Sequence, residues 1–330
     1  MKVDSLYPLV IVTPVYEDVE ASSRLFKELA TVFGREVYVV AVDDGSVRQP
    51  VEVSSLVAAG VDGVVVKLRR NVGHQRAIAI GLNYVADQLP EAQQVVVMDS
   101  DGEDLPLSVK ELIKSLKSPD ADVVVAQRKS RVETIRFKAF YVVYRWLFNL
   151  FTGREISFGN FMALKPAAVK RLAAMPELWI HVASGVLVSK LRMVVCPLDR
   201  GPRYAGQSKM NFVGLALHGF RALMVFAEDV LVRVGIACAL VAVFSVLGGG
   251  IAIVLKLVGF ATPGWFSVAL GILMLVFLQT GALTLMTLML TGVIRNGTVS
   301  TINYREFVDI VLSSSDIINN KSECLNHNGQ

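Results

Sequence analysis

The chain has 330 residues, of which 53% are hydrophobic and 19% are charged, and its formal net charge at pH 7 is +4. This length allows two modules, and the small, dispersed positive charge argues against a nucleic-acid-binding protein. The 3 cysteines are far apart and odd in number, so they indicate neither a disulfide framework nor a zinc site and fit a reducing compartment. The apolar excess lies after about residue 230.

Short apolar runs alternate with segments of helical spacing before that point, which predicts βαβ units and an α/β fold with a mostly parallel sheet. The predicted strands are 9–13, 36–42, 64–66, 94–98 and 121–126, and the predicted helices are 22–33, 74–88 and 106–116. In such sheets ligands bind at the carboxyl ends of the strands. Polar residues occur at those ends, in 14–18, 43–46, 99–104 and at Arg128. No GxGxxG or GxxxxGK[ST] motif follows a strand, which argues against a dinucleotide fold or a P-loop.

The most informative stretch follows the fourth predicted strand, where Asp99, Asp101, Glu103 and Asp104 place four carboxylates within six residues. Acids at this density repel one another unless a cation or solvent offsets their charge, and oxygen ligands suit Mg²⁺, Mn²⁺ or Ca²⁺. An EF-hand loop is a weak rival, because the sixth position counted from Asp99 is Asp104 rather than glycine. A solvated acidic turn that opens the helix 106–116 is the other alternative.

Two basic segments come later in the chain. Residues 134–151 combine arginine and lysine with aromatic side chains, which favours an amphipathic helix at a membrane interface; a packed helix with a basic face is the alternative. The loop 200–209 contains Arg200, Arg203 and Lys209, which can clamp phosphate oxygens. An ordinary surface loop is the alternative there.

Two long apolar runs, 234–258 and 265–294, are each long enough to cross roughly 30 Å of hydrocarbon. We therefore predict a transmembrane hairpin, preceded by a juxtamembrane amphipathic helix at 213–233. Because cationic residues flank the outer ends of the hairpin, the positive-inside bias predicts that the domain 1–212 and the tail 295–330 are cytoplasmic. The polar tail is predicted to be partly disordered.

Five stretches in this order, together with the hairpin, resemble the bacterial polyprenyl-phosphate (dolichyl-phosphate-like) sugar synthases, which are membrane-anchored inverting glycosyltransferases of the GT-A type. The resemblance covers about residues 8–310. The stretches are Val12-Thr-Pro-Val-Tyr-Glu-Asp18, Val42-Asp-Asp-Gly-Ser46, Arg70-Asn-Val-Gly-His-Gln-Arg-Ala77, Met98-Asp-Ser-Asp-Gly-Glu-Asp-Leu-Pro106 and Arg203-Tyr-Ala-Gly-Gln-Ser-Lys209.

The resemblance implies a GT-A fold and the transfer of a hexose from a nucleotide diphosphate sugar to a polyprenyl (undecaprenyl-type) phosphate, with inversion. It implies a Mg²⁺ or Mn²⁺ cofactor held by Asp99, Asp101 and Glu103. It also implies a multi-pass protein of the inner membrane, in contact with the lipid bilayer, as a possible homo-oligomer and without a nucleic-acid partner. The implied nucleotide-sugar-binding residues are Pro14, Tyr16, Asp18, Asp43, Asp44 and Asp99, and the implied catalytic residues are Asp101, Arg128, Arg131, Arg203 and Lys209.

One segment departs from the pattern of that family, which usually has an aspartate shortly before a Gly-x-Phe or Gly-x-Met segment. Here Ser157 lies near that position, and Glu155 lies two residues earlier. A phosphate acceptor tolerates this loss, because its second pKa is about 6 and an anionic nucleophile needs no general base. A sugar hydroxyl as acceptor would require one.

Other functions remain open at this point. A processive polysaccharide synthase would resemble a Gln-x-x-Arg-Trp pattern with more membrane spans, whereas Arg145-Trp146 is preceded by Val142 here. A transferase that glycosylates a protein or a finished glycan is a further alternative. A non-catalytic membrane adaptor of the same fold would need neither the acidic cluster nor the basic loop.

Overall fold

The computed structural model describes residues 7–90, 92–128, 135–204, 212–260, 264–296 and 302–316. The chain divides into two compact units. The first comprises Met1–Ile135, Ile156–Val225 and Ser300–Gln330, and the second comprises Arg136–Glu155 and Phe226–Val299. The first unit therefore holds the predicted α/β domain, and the second holds both long apolar runs.

The first unit is built on a mixed sheet. Its described strands are β1 (Leu9–Val15), β2 (Val37–Asp43), β3 (Asp62–Leu68), β4 (Gln94–Val97), β5 (Val123–Arg128), β6 (Met162–Leu164), β7 (Met193–Leu198) and β8 (Val308–Ser313). Their order across the sheet is β7-β5-β6-β4-β1-β2-β3-β8. The strands β4, β1, β2 and β3 are parallel neighbours, as are β5 and β7, whereas β6 and β8 are antiparallel to their neighbours. The predicted α/β class with a mostly parallel sheet is confirmed.

Helices cover both faces of this sheet, and for that reason every residue of β1 and β2 is buried. The helices of the chain are α1 (Val19–Phe33), α2 (Val53–Ala59), α3 (His74–Gln88), α4 (Pro106–Leu116), α5 (Ile135–Thr152), α6 (Pro166–Ala173), α7 (Val182–Val188), α8 (Phe212–Met224), α9 (Ala227–Leu257) and α10 (Trp265–Asn296). The helix α3 approaches β1 closely at Gly81, where a Cβ atom would lie 2.5 Å from Cγ1 of Val12. This packing fixes the start of α3 at the carboxyl end of the sheet.

The chain returns to the sheet after the two apolar runs, which differs from the tail predicted for 295–330. The strand β8 pairs with β3, and the hydroxyl of Ser314 accepts a hydrogen bond of 3.0 Å from the backbone N–H of Gly63. Phe307 packs beside Trp179, with 5.7 Å between ring centroids. This part of the tail belongs to the α/β fold because its apolar side chains extend the core; residues 317–330 lie outside the described residues.

The second unit contains α5, α9 and α10. The helices α9 and α10 pack against each other and expose many large apolar side chains, and both are long and apolar enough to cross a membrane. The guanidinium of Arg233 on α9 donates a hydrogen bond of 3.1 Å to the carbonyl of Leu150 on α5. The helix predicted for 213–233 is divided in the structure, since α8 ends at Met224 and α9 begins at Ala227.

Candidate active site

The loops after β1 and β2 are joined by buried and half-buried carboxylates. The carboxylate of Glu17 accepts hydrogen bonds of 2.7–3.1 Å from the backbone N–H groups of residues 47–49, which lower the pKa of Glu17. Asp43 accepts hydrogen bonds from the backbone N–H groups of Ser46 at 2.9 Å and of Val51 at 3.1 Å. Backbone donors therefore define the shape of this edge of the site.

Asp44 fixes the start of the next helix in the same way. Its two oxygens accept hydrogen bonds from the backbone N–H groups of Val72 at 2.7 Å and of Gly73 at 3.0 Å, immediately before α3. Burial raises the pKa of Asp44 despite these donors. The adjacent Gly45 has a φ of +69°, and a Cβ atom there would collide with the backbone of Arg70. The Asp43-Asp44-Gly45 sequence thus makes a tight, backbone-lined corner.

The acidic stretch after β4 forms a turn rather than an extended strand end. A carboxylate oxygen of the buried Asp104 accepts a hydrogen bond of 3.0 Å from the backbone N–H of Asp99. Asp101 accepts one of 3.0 Å from the N–H of Glu103, and Gly102 between them has a φ of +89°. The turn holds Asp99, Asp101 and Glu103 at the carboxyl end of the sheet, where ligands are expected.

The charge of this turn is only partly balanced. Burial and the charge of Asp99 raise the pKa of Asp104, because both oppose a further negative charge in the turn. Burial also opposes the ionisation of Asp99, but His74, Arg200 and Arg128 outweigh it and lower the pKa of Asp99. The cluster therefore attracts positive charge from several elements.

Two arginines from the loop after β7 balance the other two acids. Arg203 lies between them, with Nη2 2.8 Å from Oδ2 of Asp101 and Nε 3.2 Å from Oε1 of Glu103. Arg200 pairs with the second oxygen of Glu103. The loop is also attached by its backbone, since the N–H of Tyr204 donates a hydrogen bond of 2.8 Å to the carbonyl of Asp101. Burial and the neighbouring acids still raise the pKa of Asp101.

A series of side-chain contacts through Gln75, Asn160 and His74 ends at Asp99 of the same turn. The side-chain oxygen of Gln75 accepts a hydrogen bond of 2.7 Å from the backbone N–H of Val182, and its amide nitrogen donates to Asn160 at 3.2 Å. The amide nitrogen of Asn160 lies 3.0 Å from Nε2 of His74. That ring nitrogen is also 3.2 Å from Oδ1 of Asp99. Burial lowers the pKa of His74, but the facing acids outweigh it and raise the pKa.

The nucleotide-binding residues predicted on the first loop do not all converge. The carbonyl of Pro14 accepts a hydrogen bond of 3.1 Å from the hydroxyl of Ser100, which joins this loop to the acidic turn. Tyr16 follows the end of β1 and is 44% exposed. Asp18 instead caps α1, accepting a hydrogen bond of 3.3 Å from the N–H of Ala21.

The remaining predicted residues lie partly within and partly outside the described residues. Arg128 ends β5, and its charge acts on Asp99, which agrees with a position near the acidic turn. Arg131 and Lys209 lie outside the described residues. Their predicted contacts with phosphate stay predictions.

The carboxylates of the acidic turn have the chemistry of a divalent-cation site, because hard cations take oxygen ligands. Oδ1 of Asp99 is buried and lies 3.2 Å from Nε2 of His74, which is a positively charged partner only when the ring is protonated. In this state, no three His, Cys, Asp or Glu side chains among the described residues are arranged to hold a metal ion. Arg203 and Arg200 instead pair with Asp101 and Glu103. The donor set fits Mg²⁺ or Mn²⁺ once those arginines are displaced.

His74, Gln75 and Asn160 are residues of the candidate site for which no role was predicted from the sequence. The first two lie in the stretch 70–77 that carried part of the resemblance, and Asn160 lies in the segment that departs from the family pattern. In the sequence, the signal that could have indicated His74 and Gln75 was a run of polar residues between a strand and the start of a helix. The contacts of His74 and Gln75 with Asn160 join residues 86 and 85 positions apart in sequence, so spacing alone could not reveal them.

Comparison with known proteins agrees with this geometry. Residues 10–162 match the model of Glycosyl transferase family 2. The matched region contains β1–β5, the backbone-lined corner and the acidic turn. The match and the mixed, mostly parallel sheet support a nucleotide-sugar glycosyltransferase of the GT-A fold. No curated protein matches the sequence.

Solved structures of glucosyl-3-phosphoglycerate synthase from Mycobacterium tuberculosis are similar to the chain. The complex with Mn²⁺ and UDP-glucose has a TM-score of 0.50 at 14% identity, over 68% of this chain and 79% of that chain. The complex with Mn²⁺, UDP and glucosyl-3-phosphoglycerate has a TM-score of 0.49 at 16% identity, over 69% and 80%. At such identities the likeness concerns the GT-A fold alone.

Proposed function

We propose that this protein transfers a hexose from a nucleotide diphosphate sugar to a polyprenyl phosphate of the undecaprenyl type, with inversion at the anomeric carbon. The proposal rests chiefly on the acidic turn after β4, where Asp99, Asp101 and Glu103 face two arginines. This combination of oxygen ligands and guanidinium groups is what a diphosphate leaving group and its counter-ion require. The long apolar helices α9 and α10 support a lipid acceptor.

The nucleotide is proposed to lie along the ends of β1 and β2, near Pro14–Asp18 and Asp43–Asp44. Because both oxygens of Asp43 already accept backbone hydrogen bonds, its proposed contact with the base uses the remaining acceptor capacity of the carboxylate. Tyr16 is sufficiently exposed to contact a ring. Asp18 is proposed to act mainly through its cap on α1.

The departing nucleoside diphosphate gains negative charge as the glycosidic bond breaks. Arg200 and Arg203 are proposed to donate hydrogen bonds to its oxygens, and Arg128, Arg131 and Lys209 are proposed to act on the diphosphate or on the acceptor phosphate. Asp99, Asp101 and Glu103 would hold a Mg²⁺ or Mn²⁺ ion, which would neutralise part of the same charge.

The acceptor phosphate is proposed to attack without a general base. One of its oxygens forms the new bond to the anomeric carbon while the bond to the diphosphate oxygen breaks, and the nucleoside diphosphate leaves with that electron pair. The phosphate is mostly dianionic at neutral pH, since its second pKa is about 6, and therefore has no proton to lose. Ser157 in place of the usual aspartate is consistent with this acceptor.

The proposed location is the inner membrane, with α9 and α10 as a hairpin and the α/β unit on the cytoplasmic face. The helix α5 exposes Val142, Val143, Trp146 and Leu150, which suits the proposed interface with the bilayer and the prenyl chain. A homo-oligomer is proposed as well, because glycines on α9 and α10 allow close approach of helices.

The test is a transfer assay with the full chain in membranes. Radiolabelled UDP- and GDP-sugars are supplied in turn with undecaprenyl phosphate, with and without a chelator, and the lipid fraction is extracted. Label in an acid-labile lipid product, lost with the chelator, supports the proposal. Label on a glycan, or on 3-phosphoglycerate added to the assay, would mean that this molecule is the acceptor instead of a polyprenyl phosphate. A chain that neither binds nor consumes any nucleotide sugar would be an adaptor.

A further inference from the structure

The four carboxylate oxygens of Asp101 and Glu103 all have donors within the protein. Oδ1 of Asp101 accepts from the N–H of Glu103, and Oδ2 lies 2.8 Å from Nη2 of Arg203. Oε1 of Glu103 lies 3.2 Å from Nε of Arg203, and its other oxygen pairs with Arg200. The guanidinium of Arg203 therefore occupies the space between the two acids, where a shared cation would have to lie.

We propose that Arg203 is an internal competitor of the divalent cation, and that the diphosphate of the donor relieves this competition by drawing Arg203 away from Asp101 and Glu103. This inference rests on the proposed function, because it needs the cation and the diphosphate. It makes metal binding and donor binding mutually dependent: each is weak alone and stronger in the presence of the other.

The loop that carries Arg203 stays in place without the side-chain contacts. The N–H of Tyr204 donates to the carbonyl of Asp101 at 2.8 Å, and the N–H of Gly201 donates to the carbonyl of Glu103 at 3.0 Å. The ring of Tyr204 covers Gly102, where a Cβ atom would lie 2.6 Å from the ring. The guanidinium can thus change partner by rotation of its own side chain while the backbone remains attached.

The balance of charge favours such an exchange. Arg203 and both acids are partly exposed, with side-chain exposures of 29%, 16% and 21%, so a diphosphate can reach the guanidinium. A diphosphate accepts a bidentate pair of hydrogen bonds from arginine, just as a carboxylate does. When Arg203 leaves, Asp101 loses this arginine while Glu103 keeps Arg200, so the cluster beside Asp99 becomes more negative, and a divalent cation compensates for the lost positive charge. The departure of Arg203 thus exposes negative charge, and the binding of the cation neutralises it.

Arg192 provides a matched control. It forms an ion pair with Asp122, with Nη2 2.7 Å from Oδ1, and it is not part of the acidic turn. The substitution Arg192→Gln removes the same charge from the protein as Arg203→Gln and also breaks an arginine–carboxylate pair. Any effect of net charge on metal affinity would therefore appear in both variants.

The experiment measures Mn²⁺ affinity of the full-length protein in detergent by the loss of the free-ion EPR signal, without nucleotide and with saturating UDP or GDP. We expect Arg203→Gln to raise the affinity without nucleotide by about 5-fold or more, the lower end of common coupling effects. The gain in affinity caused by the nucleotide should shrink in the same variant, and sugar transfer should fall. Arg192→Gln should behave like the unaltered protein.

The outcomes separate the inference from the proposed function. Equal or lower Mn²⁺ affinity in Arg203→Gln, with intact nucleotide-dependent Mn²⁺ binding in the unaltered protein, overturns the inference and leaves the proposed function standing. Absence of Mn²⁺ and Mg²⁺ binding from every variant, with nucleotide present, overturns both. Arg200→Gln serves as a second variant, because it frees one oxygen of Glu103; it should raise the affinity less than Arg203→Gln does.

Discussion

Two groups of acids lie at neighbouring strand ends and have different kinds of partner. Glu17, Asp43 and Asp44, the corner acids, accept hydrogen bonds from backbone N–H groups of the loops around them. Asp101 and Glu103, the turn acids, face the side chains of two arginines. Both groups are aspartates and glutamates that follow a buried strand, so the residue types alone do not distinguish them.

The difference shows which acids can take part in chemistry. A backbone donor cannot leave without rearranging its loop, whereas an arginine side chain can exchange one oxygen for another by rotation. The corner acids are therefore tied to the folded shape, and the turn acids are available to a cation and a diphosphate. Substitutions in the corner should mainly affect stability, and substitutions in the turn should mainly affect activity.

The largest expected effect is on activity, from Asp101→Asn. This change keeps the size of the side chain but removes the charge shared by Arg203 and the proposed cation, so sugar transfer should fall by about 100-fold or more. Radiolabel transfer at increasing Mn²⁺ measures the effect, and Asp122→Asn, in the Arg192 pair, is the control. Full, metal-dependent turnover of the Asp101 variant would remove this residue from the proposed centre.

The second effect is on stability, from Asp44→Ala. The N–H groups of Val72 and Gly73 would lose their acceptor at a position where Asp44 is 3% exposed, which should cost about 2 kcal/mol in the free energy of unfolding. Urea unfolding of the full chain in detergent provides the measurement. Asp101→Asn should unfold nearly as the unaltered protein does. If it is the less stable of the two variants, the division between corner and turn is wrong.

The third effect distinguishes the attachment of the basic loop from backbone strain. It compares alanine substitutions at two glycines with similar φ. Gly102→Ala places a Cβ atom against the ring of Tyr204, whereas Gly60, with a φ of +74°, has no atom within 4 Å of a built Cβ. Both alanines should lower stability by about 1 kcal/mol through strain. Only Gly102→Ala should raise the KM for the nucleotide sugar. A similar rise in Gly60→Ala would mean that Tyr204 does not hold the basic loop.

Much of the sheet could be predicted from the sequence, because β1–β4 are apolar runs that end in polar residues and are separated by helical spacing. The strand β6 has three residues, too few for a periodic signal, and its neighbours in the sheet lie far away in sequence. The strand β8 could not be predicted from its surroundings, since it follows both apolar helices and reaches β3 across more than 200 residues. Its own sequence, Val308-Asp-Ile-Val-Leu-Ser313, is nevertheless a short apolar run typical of a strand, and this signal was missed.

The candidate site shows the same division between local and distant information. The density of acids after β4 identified Asp99, Asp101 and Glu103, and the basic loop indicated Arg203. The partners of these residues depend on the tertiary structure: Arg203 is about 100 residues from Glu103, and Asn160 is 86 from His74. Sequence spacing also could not show that Asp43 and Asp44 accept backbone hydrogen bonds from loops on two sides.

The smallest effect is a local pH dependence at the corner. The N–H groups of residues 47–49 lower the pKa of Glu17 below its ordinary value of 4.5, because they bind its charged form. A lowered folded-state pKa means that this stabilisation is complete above 4.5 and is lost only as the pH falls through the lower folded value. The backbone amide NMR signals of Val47, Arg48 and Gln49 should therefore shift together as the pH falls, with a shared midpoint below 4.5. Glu17→Gln should abolish the shared transition, since it has no charge to lose. A midpoint at or above 4.5 in the unaltered protein would mean that these amides do not hold the carboxylate, and the corner would then be as exchangeable as the turn.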